Sequence, residues 1–350
     1  IGVIAAIIPW NSQMLLTAIK LAPALAMGNT IVIKASEVAP APVFELAKLI
    51  DQINIPKGVV NILSGFGDEC GKALTSHPKV ERVAFTGGVP TARHIVKNSA
   101  ENLAQVSLEL GGKSPVAVFK DANIENAING VTASIFGASG QSCIAGSRLY
   151  LEKDIYNEFL TKISEKAKNI IIGPPMNETT QMGPLCTLKQ LENIQEKVRL
   201  TIEQGGNLIY GGEKPKEINQ GFYYKPTIIA CENHDLPTAE NELFGPVLSV
   251  MKFSGEEEAI KLMNDNSYGL AAGVFSENNG TALRVSKAVR AGILFVNTYR
   301  LISPIAPFGG FKNSGYGRES GIEVIRDYSR IKTTWINTSK KSMGDPFIIK

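Results

Sequence analysis

The stretch IGVIAAIIPWNSQMLLTAIKLAPALAMGNTIVIK, residues 1–34, decides the fold class of this chain. Its first eight residues are typical of a buried strand, and TIVIK at 30–34 is typical of a second one. Between them, apolar residues recur at helical spacing over 14–27, and Gly28 provides a helix stop. A strand, a helix and a strand in this order predict a parallel crossover unit.

The alternation of strand and helix patterns continues along the chain. Further strands are predicted at 58–63, 81–87 and 104–110, with helices at 42–53, 68–76 and 91–100. After LELGGKSP the pattern restarts, with strands at 115–119, 148–152, 222–229, 247–253, 271–275 and 293–297 and helices at 123–138 and 155–168. The sequence therefore predicts an α/β protein with a doubly wound domain followed by a second α/β domain.

Composition limits the function classes. The 350 residues are 44% hydrophobic, which is enough for two cores, and 36 basic against 33 acidic residues leave a net charge of +3. This even balance argues against a nucleic-acid or membrane surface, and no apolar run approaches the roughly 20 residues that cross a bilayer. The four cysteines are scattered, so we expect neither a disulfide framework nor a metal site, and we expect a reducing, cytoplasmic compartment.

The tail SRIKTTWIN, residues 329–337, is β-branched and alternates with polar residues. Such a strand without a local partner would be an open edge. We therefore expect it to pair elsewhere, on another subunit of a homodimer or homotetramer.

Two side chains stand out as candidates for chemistry. Cys143 lies in GASGQSCIAGSR, residues 137–148, where small residues would let a substrate approach and backbone N–H groups would lower the thiol pKa. Alternatively, it is a small core residue, as we expect for Cys70, Cys186 and Cys231. Glu109 ends a buried-looking strand, where burial would raise its pKa toward that of a general base; alternatively, it caps the strand exit.

Other polar positions also follow predicted strands. Asn11 is either a helix N-cap or an amide donor to an oxyanion. Lys34 and Glu37 are either a solvated strand exit or the ribose-binding pair of a nucleotide site, in which the carboxylate would favour NAD over NADP. Gly65, Gly67 and Gly71 have the spacing GxGxxxG, which matches a dinucleotide loop only loosely.

Taken together and in order, these segments resemble the aldehyde dehydrogenase superfamily. The matching motifs are PWN, KASE, GFGDECG, FTGG, LELGGKSP, GQSC, ELFGP and PFGGFKNSGYGRE, from residue 9 to residue 319. The resemblance implies that residues 1–111 are part of a Rossmann-like NAD-binding domain and that residues 112–311 are the catalytic domain. Residues 312–350 would then return to the cofactor domain and end in an oligomerisation strand.

The resemblance also implies site roles. Cys143 would be the nucleophile, Glu109 the base that activates the deacylating water, and Asn11 an oxyanion donor, with Lys20 and Glu319 relaying protons. The positions implied to bind NAD are Pro9, Trp10, Lys34, Ser36, Glu37, Gly67, Gly71, Phe85, Thr86, Gly87, Gly88, Leu110, Gly111, Glu242 and Phe244. No metal is implied.

The implied reaction is the NAD-dependent oxidation of an aldehyde to a carboxylic acid, through a hemithioacetal and a thioester. Residues expected around the substrate are Met14, Leu15, Phe136, Ser142, Ile144, Arg300 and Phe308. Their largely apolar character favours a medium-sized or aromatic aldehyde, whereas an inward-pointing Arg300 would favour a semialdehyde.

Three departures from the family pattern affect the site. Ser12 and Gln13 replace the usual Phe-Pro, Gly88 replaces a serine near the pyrophosphate, and Ala35 replaces a proline. Family members also carry a long segment before PWN that is absent here, so we expect a truncated cofactor domain. Two alternatives stay open: a catalytically silent structural subunit, and a coenzyme-A-acylating relative, which Glu109 disfavours.

Overall fold

The computed structural model describes residues 1–348 of the chain. Its strands are β1 Val3–Ile7, β2 Thr30–Ala35, β3 Val60–Ser64, β4 Val80–Gly87, β5 Gln105–Leu110, β6 Pro115–Val118, β7 Arg148–Glu152, β8 Asn207–Tyr210, β9 Thr227–Ala230, β10 Val247–Phe253, β11 Tyr268–Gly269, β12 Ala271–Phe275, β13 Ile293–Val296, β14 Phe311–Lys312 and β15 Gly315–Tyr316. Its α-helices are α1 Gln13–Ala26, α2 Ala41–Asp51, α3 Lys72–Thr75, α4 Val89–Ser99, α5 Ile124–Phe136, α6 Tyr156–Lys168, α7 Leu188–Glu203, α8 Pro237–Glu240, α9 Gly255–Asn264, α10 Asn279–Ala288 and α11 Val324–Asp327.

The first sheet has the strand order β15-β5-β4-β1-β2-β3. The pairs among β1 to β5 are parallel, because each crossover passes through a helix, and only β15 runs antiparallel to β5. The alanines and isoleucines of β1 are almost fully buried, as expected for a strand covered on both faces. This confirms the predicted doubly wound α/β architecture.

The register of this sheet brings several chain segments to one edge. Ile7 of β1 aligns with Lys34 of β2 and with Phe85 of β4, while Thr86 aligns with Glu109 of β5. The residues that follow these strands therefore share the carboxyl edge of the sheet, where open α/β sheets bind ligands.

The second sheet has the order β13-β12-β6-β7-β10-β9-β8. Its apolar strands pack against α5 and α6 on one side, in a core that includes Val131, Phe159 and Leu149. A separate core on the other side includes Leu191 and Val198 of α7. This sheet positions the segment that carries Cys143, because that segment connects α5 to β7.

The structure differs from the sequence predictions at several elements. The strand predicted at 222–229 begins only at Thr227, and α7, α9 and α10 were not predicted. The predicted tail strand does not form within residues 1–348, where Ile331 and Trp335 are 97% and 93% exposed. Its pairing with another subunit stays a prediction, as do the domain boundaries at 111 and 311.

Candidate active site

A cavity of about 220 Å³ lies at the carboxyl edge of the first sheet and reaches Cys143 in the second domain. Its wall is formed by Pro9, Trp10, Asn11, Thr86, Gly87, Gly88, Glu109, Leu110, Gly111, Cys143, Gln190, Glu242 and Phe244. The three residues predicted to be catalytic, Cys143, Glu109 and Asn11, therefore line one cavity although they are far apart in sequence.

The segment before Cys143 is tightly constrained. After α5 ends, Ala138 and Ser139 both adopt left-handed backbone conformations, with φ of 54° and 56°. At Gly140 an added Cβ would lie 2.1 Å from the carbonyl oxygen of Gly245, so only glycine fits there. Strained backbone of this kind is typical of functional sites, because the surrounding structure must hold it in place.

Gln141 clamps this segment to a neighbouring loop. Its side-chain nitrogen donates to the Pro184 carbonyl at 3.3 Å, and its side-chain oxygen accepts from the Cys186 N–H at 2.8 Å. The Ser139 hydroxyl adds a bond of 2.9 Å to the Gly183 carbonyl. These contacts fix the backbone two residues before the thiol.

The Cys143 thiol has the opposite pKa direction from the one predicted. Burial raises its pKa to about 12, with further contributions from the negative charges of Glu242 and Glu109. The N–H groups of Cys143 and Ile144 lower the pKa, as predicted, but they do not outweigh burial. The expectation of a lowered thiol pKa is therefore wrong for this structure, and the thiol needs a base to remove its proton.

Glu109 is buried at 3% exposure, and neither of its carboxyl oxygens has a hydrogen-bond partner among the described residues. Burial raises its pKa well above the ordinary value, and Glu319 adds to this, whereas Lys20 and Arg318 act in the other direction. A strand-capping carboxylate would accept hydrogen bonds from the strand exit. The orphaned oxygens instead suit a group that binds and deprotonates a small molecule.

A buried polar chain lies behind Glu109. The Lys20 ammonium forms an ion pair with the Glu319 carboxylate and donates to the Thr86 hydroxyl at 2.7 Å. Thr86 lines the cavity, whereas the second oxygen of Glu319 has no partner among the described residues. The structure thus places the two predicted relay residues, Lys20 and Glu319, in direct contact beside Glu109.

Asn11 follows β1 and lines the cavity with Cys143. The residue at the N-cap of α1 is Ser12, with φ of 48°, and its side chain makes no capping bond. The alternative role for Asn11, as the N-cap of this helix, is therefore wrong, and Asn11 is part of the cavity wall instead.

A groove of about 260 Å³ continues from this cavity along the sheet edge, since Pro9, Trp10, Thr86, Gly87 and Gly88 line both. The other predicted cofactor positions in this groove are Lys34, Ser36, Glu37, Gly67, Gly71 and Phe85. All predicted cofactor positions therefore line either the cavity or the groove.

The donor set at the far end of the groove suits a ribose. The Lys34 ammonium donates to the Glu37 carboxylate at 3.0 Å and to the Ala35 carbonyl at 3.1 Å. Burial acts to raise the pKa of Glu37, but its backbone N–H and Lys34 outweigh burial and hold the pKa below the ordinary value. A carboxylate that stays ionised can accept two hydroxyl hydrogens and would repel a phosphate.

Glu242 and Phe244 complete the cavity on the side of the second domain. The Glu242 carboxylate accepts from the Gly112 N–H at 3.0 Å, and burial raises its pKa to about 7. Phe244 has φ of 54° and packs edge-on against Trp10, with ring centroids 5.3 Å apart. Both side chains thus contact residues that follow strands of the first sheet.

Sequence reasoning missed Gln190, on α7. Its amide donates to the carbonyls of Leu243 and of Phe244, the latter at 3.1 Å, and it lines the cavity. It therefore holds the backbone of Phe244 in its left-handed conformation. The local sequence CTLKQLEN contains no motif that points to a functional role for Gln190. Its one recognisable feature is Thr187, whose hydroxyl caps α7 by accepting a hydrogen bond from the Gln190 N–H.

None of the seven residues predicted to contact the substrate lines the Cys143 cavity. Phe136 and Ile144 lie in the hydrophobic core, at 3% and 2% exposure, and Phe308 packs against the same core. Ser142 lines a small space behind Glu242, and Met14 and Leu15 are partly exposed. Arg300 contacts the Gly137 carbonyl at 3.0 Å. Their assignment to a substrate pocket stays a prediction.

The helices formed by residues 1–348 are all too short or too polar to span a bilayer. Within the same residues, no cluster of His, Cys, Asp and Glu side chains has the geometry of a metal site.

Comparisons with known proteins place these motifs in context. A family model described as "Aldehyde dehydrogenase family" matches residues 1–334. A (Z)-2-((N-methylformamido)methylene)-5-hydroxybutyrolactone dehydrogenase from Acinetobacter baylyi is 54% identical over 351 residues, covering 100% of this chain and 72% of the relative.

Solved structures agree with the sequence matches. The crystal structure of PnpE from Pseudomonas sp. WBC-3 is 42% identical with a TM-score of 0.96, over 99% of this chain and 71% of that one. Betaine aldehyde dehydrogenase from Staphylococcus aureus, solved in complex with NAD+, is 36% identical with a TM-score of 0.92, over 93% of this chain and 65% of that one.

Proposed function

The chain belongs to the aldehyde dehydrogenase family, and from this premise we propose that it oxidises an aldehyde to a carboxylic acid with NAD as the hydride acceptor. The observation that carries the proposal is the shared cavity, which is lined by both Cys143 and Glu109, whose carboxyl has no hydrogen-bond partner among residues 1–348. The groove that ends at Lys34 and Glu37 continues into that space.

The first chemical step is addition of the Cys143 sulfur to the aldehyde carbonyl. The new carbon–sulfur bond turns the carbonyl oxygen into an alkoxide. The Asn11 amide and the backbone N–H groups of Cys143 and Ile144 are the donors available to stabilise that charge. Because the pKa of the thiol is raised to about 12, its proton must pass to a base in the cavity, and Glu109 is the proposed acceptor.

The second step releases the acid. Once the hydride has left the carbon, Cys143 carries the product as a thioester. Glu109 then removes a proton from a water molecule, whose oxygen attacks the thioester carbon and displaces the Cys143 sulfur. Glu319 and Lys20 provide a buried route for the proton, with Thr86 between Lys20 and the cavity.

The groove would hold NAD, which supplies the hydride acceptor when bound. Lys34 and Glu37 would hold its adenosine ribose and Glu242 its nicotinamide ribose, while Phe244 would lie beside the nicotinamide. Gly87 ends β4 and Gly88 is the N-cap of α4, so the N-terminus of this helix would be available to the pyrophosphate. Residues 1–111 would then form the NAD-binding part of this chain.

Cofactor choice can be tested at Glu37. The variant Glu37→Gln removes the negative charge while keeping the shape, so we expect the ratio of kcat/KM with NADP to that with NAD to rise by about 10-fold. Steady-state assays with both cofactors measure this ratio. Glu45→Gln is the matched control, because Glu45 is exposed on α2 and pairs with Lys48. An unchanged ratio in the Glu37 variant would remove Glu37 from the ribose site.

The raised pKa values predict the pH dependence. Glu109 accepts protons only as a carboxylate, and a raised pKa means that this form is lost as pH falls through a higher value than usual. We therefore expect the rate of thioester hydrolysis to rise with pH through a range above the ordinary carboxyl pKa of 4.5, by up to tenfold per unit below the raised pKa. Rapid-mixing assays of the hydrolysis phase measure this. A rate that is flat or falls over this range would contradict the assignment of Glu109.

The name of the Acinetobacter relative supports the oxidation level of the substrate. In a 5-hydroxybutyrolactone, one carbon carries both a hydroxyl and the ring oxygen, so that carbon is at the oxidation level of an aldehyde. We propose that this chain likewise oxidises a carbon at the aldehyde level.

A further inference from the structure

A second cavity lies at Gly137, where the segment that precedes Cys143 begins. It has a volume of about 490 Å³ and is lined by Thr132, Ala133, Phe136, Gly137, Lys166, Asn169, Ile170 and Gln181. Gly137 belongs to both its wall and the strained turn that leads to the thiol. This cavity therefore lies beside the start of the segment that leads to Cys143, and none of its lining residues belongs to the cofactor groove.

The chemistry of this second cavity is cationic. Its lining contains the Lys166 ammonium, two side-chain amides and the Thr132 hydroxyl, which has no partner among residues 1–348, and it contains no acidic residue. The Lys166 ammonium is hydrogen-bonded to the neutral Asn129 amide. A positive charge balanced by no carboxylate at the wall favours an anionic ligand.

Arg300 adds a second cation beside Gly137. Its guanidinium lies against the Cα of Gly137, where an added Cβ would be 3.0 Å from Nη1 and 3.3 Å from Cζ. One N–H bond goes to the Gly137 carbonyl at 3.0 Å. No carboxylate of the described residues lies within 4.0 Å of the guanidinium, so its remaining donors have no ionic partner.

A strained backbone turn places the Arg300 side chain beside Gly137. Arg300 has φ of 63° and Asn297 has φ of 53°, which are uncommon for residues other than glycine. The Asn297 side chain makes two bonds of 2.9 Å to the backbone of Ser276, and the buried Tyr299 ring packs on Phe295. A strained and anchored turn that presents a guanidinium with no ionic partner among residues 1–348 is typical of a ligand-binding residue.

We propose that the aldehyde substrate carries a carboxylate at its far end, and that Arg300 binds this carboxylate while Cys143 attacks the aldehyde carbon. The proposal rests on the proposed function and names its substrate class, an ω-carboxylate aldehyde. The free edge of the guanidinium matches a carboxylate in a bidentate geometry, and Lys166 attracts the same charge as it approaches. The product would then be a dicarboxylate.

The test compares aldehydes that differ only in the terminal group. The pairs are 4-oxobutanoate with butanal and 5-oxopentanoate with pentanal. In at least one pair, we expect kcat/KM for the acidic aldehyde to exceed that for the neutral aldehyde by about 100-fold. Arg300→Met should lower this acidic-to-neutral ratio by about 100-fold, because the charge-assisted hydrogen bonds to the carboxylate are lost. Arg300→Lys should fall between, since it keeps the charge without the fork. The matched control is Arg284→Met, an exposed arginine on α10 that pairs with Glu256.

A binding measurement separates this proposal from the proposed function. Calorimetry with butanedioate should give a Kd that Arg300→Met weakens by about 100-fold, with Arg284→Met unchanged. Neutral aldehydes that are oxidised as well as the acidic ones, or a ratio that Arg300→Met leaves unchanged, would overturn the carboxylate site. If no aldehyde yields NADH, the proposed function fails. Butanedioate binding that depends on Arg300 would still support the anion site in that case, and a lack of such binding would overturn the anion site.

Discussion

Replacing Cys143 with alanine is expected to lower kcat/KM for aldehyde oxidation by at least about 10⁴-fold, because the substrate can no longer be held as a covalent adduct. The thiol is the only sulfur on the cavity wall of the described residues, so no neighbouring cysteine can replace it. NADH absorbance with a saturating aldehyde measures the loss.

The matched control for this experiment is Cys186→Ala. Cys186 contributes its backbone N–H to the Gln141 side chain, and alanine keeps that N–H. We expect the rate of this variant to stay within a fewfold of the unmodified protein. If both variants lost activity equally, or if Cys143→Ala kept its rate, Cys143 would not be the nucleophile.

Replacing Glu109 with glutamine should separate the two halves of the reaction. We expect a burst of NADH from the first turnover that is slower than in the unmodified protein, because Glu109 is the proposed acceptor of the thiol proton. A steady rate lower by about 10²- to 10⁴-fold should follow, because water attack on the thioester loses its base. Stopped-flow absorbance resolves the burst from the slow phase. A burst as fast as that of the unmodified protein would remove Glu109 from the thiol step.

The control for this experiment is Glu125→Gln, in the exposed first turn of α5. It should change neither phase. An unchanged steady rate in the Glu109 variant would remove Glu109 from the hydrolytic step, and a rate that depended on added coenzyme A would favour the acylating alternative.

The sequence was sufficient to predict the sheet that carries the site. Strands β1, β2 and β4 have strong apolar patterns and are closed by Pro9, Lys34 and Gly87, so both their existence and the residues at their carboxyl ends followed from local signals. Parallel pairing then places those ends together without further information. Asn11 and Glu109 were each singled out because they lie at the end of a predicted strand, and the family resemblance then assigned both to one site.

Hydrogen bonds between segments that are far apart in the sequence could not be predicted from local sequence patterns. The hydrogen bonds of Gln190 to the carbonyls of Leu243 and Phe244, and those of Gln141 to residues 184 and 186, join side chains to backbone groups with no sequence signature. Helix α7 was missed because its surface is largely polar and only one stripe, including Leu191 and Val198, is buried.

The pKa of Cys143 was predicted in the wrong direction for a related reason. The local N–H groups are visible in the sequence as a turn of small residues. Burial and the charges of Glu242 and Glu109 come from other elements, and together they outweigh those N–H groups. Electrostatics of a buried site depends on the whole fold, so local sequence alone gives only one of its contributions.

The most direct test of the account is mass spectrometry of the protein quenched during a single turnover with NAD and an aldehyde. Because Glu109→Gln slows hydrolysis, that variant should accumulate the intermediate. We expect the mass of the acyl group on the peptide that contains Cys143, and on no peptide that contains Cys70, Cys186 or Cys231. Product formation without any acyl mass on the Cys143 peptide would contradict it.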